Sequence, residues 1–259
     1  MKLQILGCAG GIGGRDPHTT CLRIDQDILL DAGTGLSKLD LSQLLQIDHV
    51  FLSHSHLDHV AGLVLLLDAV VGKRQAPVTV YGSARVIETL QEHLFNWALW
   101  PDFNQIPSLD QPILRYRSVA DGESLQLGQR VITCQSVRHI EGSLAFLLSS
   151  AKAGFAFTGD LASSPVFWQK LQQHHKIHSV IVDCSFVNAE IELARRSMHF
   201  CPADLLADIA GLPEHFEFLI YHLKPGQESQ IMTELQQGQA DLGLRHKLSA
   251  LHSGMEFEF

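Results

Sequence analysis

Residues 51–63 read FLSHSHLDHVAGL. This stretch places His54, His56, Asp58 and His59 directly after an apolar run. The preceding IDHVFLS (47–53) predicts a buried strand, and from Asp58 the pattern DHVAGLVLLLDAVVG turns helical. The cluster therefore sits at a strand-to-helix turn. Histidines two apart in an extended turn can face the same way, while Asp58 and His59 open the helix. Such a turn offers nitrogen and oxygen donors to two cations. Imidazole and carboxylate suit zinc, and two ions about 3.5–4 Å apart make a hydrolytic centre.

A complete centre needs further donors, and strand ends are where they are expected. His139 closes VITCQSVRH, Asp160 closes FAFTGD and His222 closes FEFLIYH. The remaining histidines are read more simply. His49, His93, His215, His246 and His252 are surface or hydrogen-bonded residues, and His174, His175 and His178 mark a solvated helix end.

Working outward, 259 residues suffice for one domain spanning 1–259 with a large core. No basic segment followed by an apolar one opens the chain, and its longest apolar run, VAGLVLLLDAVV, is broken by Asp68. The expectation is a soluble cytoplasmic protein without membrane association. Five scattered cysteines, an odd number without a C-x-x-C pair, argue against a disulfide framework or zinc ribbon. The net charge is −9 and no run of lysine or arginine exceeds two residues. That excludes a long nucleic acid as the expected partner and leaves a small anionic substrate.

The glycine-rich GCAGGIGGRD after the strand KLQILG is followed by two short strands rather than a helix, against a dinucleotide cofactor. Helical spacing covers 36–46, and a strand VTVYG precedes a helix through ARVIETLQEHLFNWAL. The strands ILRYRSV, RVITCQSVRH, LAFLLSS and GFAFTGD follow. Then come a helix PVFWQKLQQHH, a strand SVIVDCS, a helix near 202–211, the strand FEFLIYH and a helix near 227–237. The order predicts an α/β chain of two mixed halves, each a sheet with helices on its outer face.

The set His54, His56, Asp58, His59, His139, Asp160 and His222 resembles the ligand set of the metallo-β-lactamase superfamily. That resemblance implies a four-layer αββα sandwich with two metals between the sheet edges. His54, His56 and His139 would hold one Zn²⁺ and Asp58, His59 and His222 the other, with Asp160 bridging. Mn²⁺ or Fe²⁺ are the alternative ions. Further stretches are similar to class II cyclic-nucleotide phosphodiesterases: HSHLDHVAGLVL, FNWALWPDF (95–103), RHIEGSLAFLL, VDCSF (182–186) and YHLKP (221–225). Leu67 departs from that family's serine.

The implied reaction is hydrolysis of a 3′,5′-cyclic nucleotide to a 5′-nucleotide by water activated at the metals. Asp58, Asp160 and His199 are the implied catalytic residues. Lys224 and Trp100, the last flanked by Trp97 and Phe103, are implied substrate contacts, and Ser143 is implied to support either His139 or the phosphate through a hydrogen bond. A homodimer is left open. Other hydrolases on the same scaffold (lactonase, thioesterase, tRNA 3′-processing nuclease) and a catalytically silent zinc-binding scaffold stand as alternatives. His56 argues against an oxygen-reducing di-iron protein.

Overall fold

Alternation in KLQILG builds β1 (Lys2–Gly7), which buries Leu3 and Ile5 while Lys2 faces water. The computed structural model describes residues 1–259. β2 (Cys21–Ile24) and β3 (Ile28–Leu30) extend an antiparallel meander from β1. β4 (His49–Phe51), β5 (Val78–Gly82) and β6 (Leu114–Ser118) then add in parallel.

The second half repeats the plan. β7 (Ser124–Leu127), β8 (Arg130–Ser136), β9 (Leu144–Ser149) and β10 (Gly154–Phe157) pair antiparallel. β11 (Ile177–Asp183), β12 (Glu217–Tyr221) and β13 (Lys247–Ala250) follow in parallel. β14 (Glu256–Glu258) returns to pair with β1, so each half carries a seven-stranded sheet.

Three apolar layers hold the four structural layers together. Between the sheets lie Phe51, Phe146, Phe155, Phe157 and Tyr221. Outside the first sheet, α1 (Leu41–Leu44), α2 (Leu57–Val70) and α3 (Ala84–His93) pack through Leu44, Val60, Leu63 and Leu90. Outside the second, α4 (Pro165–Leu171), α6 (Pro202–Ile209) and α7 (Glu228–Asp241) contribute Phe167, Leu205 and Leu235, with α5 (Ile191–Ser197) beside them. The expected αββα sandwich of two αβ halves is observed. No helix is long and apolar enough to cross a membrane.

Four helices differ from their predicted extents, among them α4, which ends at Leu171 rather than His175, and α7, which continues to Asp241. The helical stretch at 36–46 breaks into a 3₁₀ turn (Thr34–Lys38) and α1, because Asp40 caps a new helix. Its Oδ1 accepts the Gln43 amide at 2.9 Å while Gln43 Oε1 accepts the Asp40 amide at 3.0 Å. The helix from Ala84 stops at His93 instead of running to Leu99. There Asn96 Oδ1 accepts the amides of Ala98 and Leu99, and Trp97 turns left-handed at φ 64°. α5, β7, β13 and β14 are short and half exposed, with too little periodicity to be read in advance. The C-terminal ends of β4, β10, β11 and β12 all open toward one edge of the sandwich, where α/β proteins place their sites.

Candidate metal centre

Past β4 the chain runs through buried Ser53 and His54 to exposed His56, which caps α2. The first turn of α2 carries half-buried Asp58 and buried His59. His222 follows β12 directly, in a left-handed conformation (φ 62°). His139 and Asp160 lie beyond the ends of β8 and β10, in turns, where the sequence predicted strand. Gly159 makes the second turn: its φ is 59°, and a Cβ there would come within 2.7 Å of Ser53 Cβ. Gly10 lets the first loop reach His222, since a Cβ would lie 2.2 Å from the His222 carbonyl oxygen.

Three overlapping sets of donors result: His54, His56, His139 and Asp160 form one, Asp58, His59, Asp160 and His222 a second, and Asp183, His199 and His222 a third that shares His222 with the second; within each, the donor atoms all lie within 4.8 Å of one another. Asp160 Oδ2 is the point shared by the first two. It lies 3.3 Å from His59 Nε2, 3.4 Å from His222 Nε2, 3.6 Å from His54 Nε2 and 4.0 Å from His139 Nε2. His222 Nε2 is also 3.2 Å from Asp58 Oδ2, and His139 Nε2 is 3.2 Å from His56 Nδ1.

The other side of each ring fixes which nitrogen is free. Ser53 Oγ gives its one proton to Asp31 Oδ2 (2.7 Å) and so accepts from His54 Nδ1 at 3.0 Å. Ser185 Oγ gives its proton to Asp183 Oδ1 (2.6 Å) and accepts from His222 Nδ1 at 2.8 Å. His59 Nδ1 donates to Asp31 Oδ2 at 2.7 Å, and His139 Nδ1 to the Met198 carbonyl at 2.9 Å. With Nδ1 protonated on all four rings, each Nε2 presents a lone pair to the centre.

These residues fit a cation. His54 Nε2, His59 Nε2 and Asp160 Oδ2 are buried without any hydrogen-bond partner, and all three face the same space. Buried polar groups are rarely left in that state, and imidazole with carboxylate is the donor chemistry of zinc and its neighbours. Without ions the charges lean on one another. Burial disfavours both charged forms, yet Asp160 and Asp31 hold the His59 imidazole well above its usual range, and His222 and His59 hold Asp160 well below its own. Burial, then the His59 charge, push His54 well down.

His199 lies at the rim. Its Nδ1 donates to Asp183 Oδ2 at 2.8 Å, and its ring stacks on His222 with centroids 5.1 Å apart. Lys224 Nζ donates to the Gly10 carbonyl at 2.7 Å and sits 5.6 Å from the Phe186 ring centre. Ser143 takes the first of its two expected roles, support of His139. Ser143 is buried, and its Oγ accepts the Ile140 amide at 3.1 Å while its carbonyl accepts the Val137 amide. It closes the turn carrying His139.

Trp100 is at the wrong end of the sheet. α3 runs back from the C-terminal end of β5, and Phe103 accepts the Leu114 amide where β6 begins. Trp100 packs there on the core of the first half, Phe103 is buried, and Trp97 is exposed, so the three form no common face. Asp31 and Ser53 were not singled out from sequence, although Asp31 ends an apolar run as Asp160 does; Asp183 and Ser185 in VDCSF and Tyr221 in YHLKP lay in stretches quoted for the family resemblance, without a role of their own.

A family described as "Beta-lactamase superfamily domain" matches residues 26–240. The chain belongs to that superfamily. A "Probable 3′,5′-cyclic-nucleotide phosphodiesterase" of Yersinia pestis is 28% identical over 242 residues, covering 82% of this chain and 68% of its own length. A "Ribonuclease Z" of Bradyrhizobium sp. is 30% identical over 147 residues, covering 54% of this chain and 46% of its own. The crystal structure of unliganded yeast PDE1 superimposes with a TM-score of 0.84 over 100% of this chain and 99% of that one. At 17% identity that likeness shows the fold. The superfamily is one of hydrolases, and the His/Asp cluster gives this member the donors for a divalent metal.

Proposed function

We propose that the protein is a dizinc 3′,5′-cyclic-nucleotide phosphodiesterase that converts cyclic AMP or cyclic GMP to the 5′-nucleotide. The observation that carries this reading is the pairing of the donor cluster with the buried His199–Asp183 contact at its rim. A phosphodiesterase relative spanning 82% of the chain supports it. Five buried cysteines without disulfides suit a reducing cytoplasm.

His54, His56 and His139 would hold one ion, Asp58, His59 and His222 the other, with Asp160 between them. Bound there, a metal pair supplies Lewis-acid polarisation of phosphate oxygens and a nucleophilic water near neutral pH. The chain's own part is positional and protonic. His56 is the exposed member and Asp58 is half-buried, so the phosphate enters on their side of the cluster. Next to His199 lies a cavity of about 320 Å³ that is lined by Arg138 and Arg195 but also by Asp204 and Asp208, and by none of the seven proposed ligand residues. Burial disfavours the His199 imidazolium, but Asp183 raises it above its ordinary range. With Nδ1 held by Asp183, His199 Nε2 is the proton donor: as water attacks phosphorus and the P–O3′ bond breaks, the departing 3′ oxygen takes the Nε2 proton, and the proton given up by the water passes to solvent, from which His199 is reprotonated.

RNA cleavage is the second reading, favoured by the ribonuclease Z relative. The test is product analysis with cyclic AMP, cyclic GMP, a precursor tRNA, a lactone and a thioester. Release of 5′-AMP or 5′-GMP that a chelator abolishes and zinc restores is expected. Turnover of the tRNA, lactone or thioester alone would replace this reading, and metal binding without any turnover would leave a silent scaffold.

A further inference from the structure

The two oxygens of Asp160 live in different surroundings. Oδ2 faces the histidines and has no hydrogen-bond partner. Oδ1 accepts a hydrogen bond at 2.9 Å from the hydroxyl of Tyr221, a fully buried residue of the inter-sheet core. The Tyr221 ring is held by Phe157, 5.3 Å away between ring centres, and its backbone leads directly into His222. This is the one hydrogen bond its hydroxyl makes. A buried phenol placed against a carboxylate is costly to leave unpaired, so Tyr221 and Asp160 hold each other.

The consequence concerns how Asp160 bridges. A carboxylate with both oxygens free can chelate one ion through both of them. With Oδ1 engaged, Oδ2 is left to face donors of both sets that Asp160 joins: His54 and His139 on one side, His59 and His222 on the other. We infer that Tyr221 is a positioning residue that holds Asp160 Oδ1, so that Oδ2 would be the oxygen offered to ions in both donor sets and the second ion would be held as firmly as the first. The inference rests on the dinuclear reading of the site. Partners in this position commonly set metal affinity by 10–100-fold.

The test is titration of the metal-stripped full chain with zinc, followed by calorimetry and by mass spectrometry under native conditions. The wild type is expected to take two ions. Tyr221→Phe, which removes one hydroxyl, is expected to bind its second ion about 10–100-fold more weakly while the first is little changed. Cobalt substitution adds a spectral readout, in which the variant should lose the absorption contributed by the second ion. Phe157→Leu disturbs the same core and keeps the hydroxyl, so both affinities should stay at the wild-type values.

Equal second-ion affinity in Tyr221→Phe and wild type would overturn the role of Tyr221, as would an equal loss in Phe157→Leu. A wild type that takes fewer than two ions would instead overturn the dinuclear reading. Should Tyr221→Phe require metal to fold, ions are counted on the folded fraction refolded in zinc. One ion per chain supports the inference, and two ions at wild-type affinity overturn it.

Discussion

The carboxylate of Asp31 binds three groups that set the centre: the Nδ1 proton of His59 at 2.7 Å, the Ser53 amide at 2.7 Å and the Ser53 hydroxyl at 2.7 Å. Through that hydroxyl it also fixes the His54 ring. One buried aspartate thus orients a histidine from each of the two donor sets that Asp160 joins. Asp31→Asn keeps the shape but cannot accept on both sides, so zinc affinity should fall about 10–100-fold. Asp31→Ala should in addition lower stability by about 2–3 kcal/mol, from the amide and ring protons left unpaired. Zinc titration and chemical denaturation of the two variants check both figures. Wild-type affinity in Asp31→Asn would remove Asp31 from this role.

His199 can be tested through its leaving group. His199→Gln should keep its ions yet hydrolyse the cyclic nucleotide about 10²–10⁴-fold more slowly. A diester with a p-nitrophenolate leaving group needs no proton, so its hydrolysis should fall far less. The pH profile carries a sign as well. The donor acts when protonated, so the rate should be full below its pKa and fall as pH rises through it. Burial lowers that pKa but Asp183 raises it further, so Asp183→Asn should move the falling limb to lower pH. A limb that does not move would assign it to another group.

What the sequence made legible here was density and position. Four metal-type side chains in one turn cannot be mistaken for composition, and aspartates or histidines after apolar runs mark sheet edges. His139 and Asp160 were found by that logic even though each lies in a turn past its strand. The groups that orient the rings were harder. Tyr221 in FEFLIYH reads as core, which it also is, and only the third dimension shows its hydroxyl reaching Asp160. Trp100 was harder to place for a related reason: a short segment's resemblance says nothing of which end of a sheet it reaches.

The two halves of the sandwich are tied by Arg130, whose guanidinium meets Asp27 at 2.5 and 2.7 Å and Asp25 at 3.1 Å. Burial raises the Asp27 carboxyl, but Arg130 outweighs it and holds the carboxyl below its usual range. A depressed acid stabilises the fold above its unfolded pKa and ceases to as pH falls through the folded one. Asp27→Asn should therefore cost about 1 kcal/mol at pH 7, a figure kept small because the pair is partly solvated, and the difference from wild type should vanish in acid. Denaturant midpoints at pH 7 and in acid decide it; a deficit that persists in acid would point to packing rather than charge.

Trp100 gives the sharpest contrast between the fold and the resemblance. Its side chain packs on the core of the first half beside the start of β6, remote from the strand ends that carry the histidines. Trp100→Ala should lower stability by about 1–3 kcal/mol through lost apolar burial. It should leave zinc affinity and the KM for cyclic nucleotide within about twofold, since a contact with the base would be worth about 1–3 kcal/mol on its own. A tenfold rise in KM with unchanged stability would mean that Trp100 reaches a substrate after all, by way of a second copy of the chain.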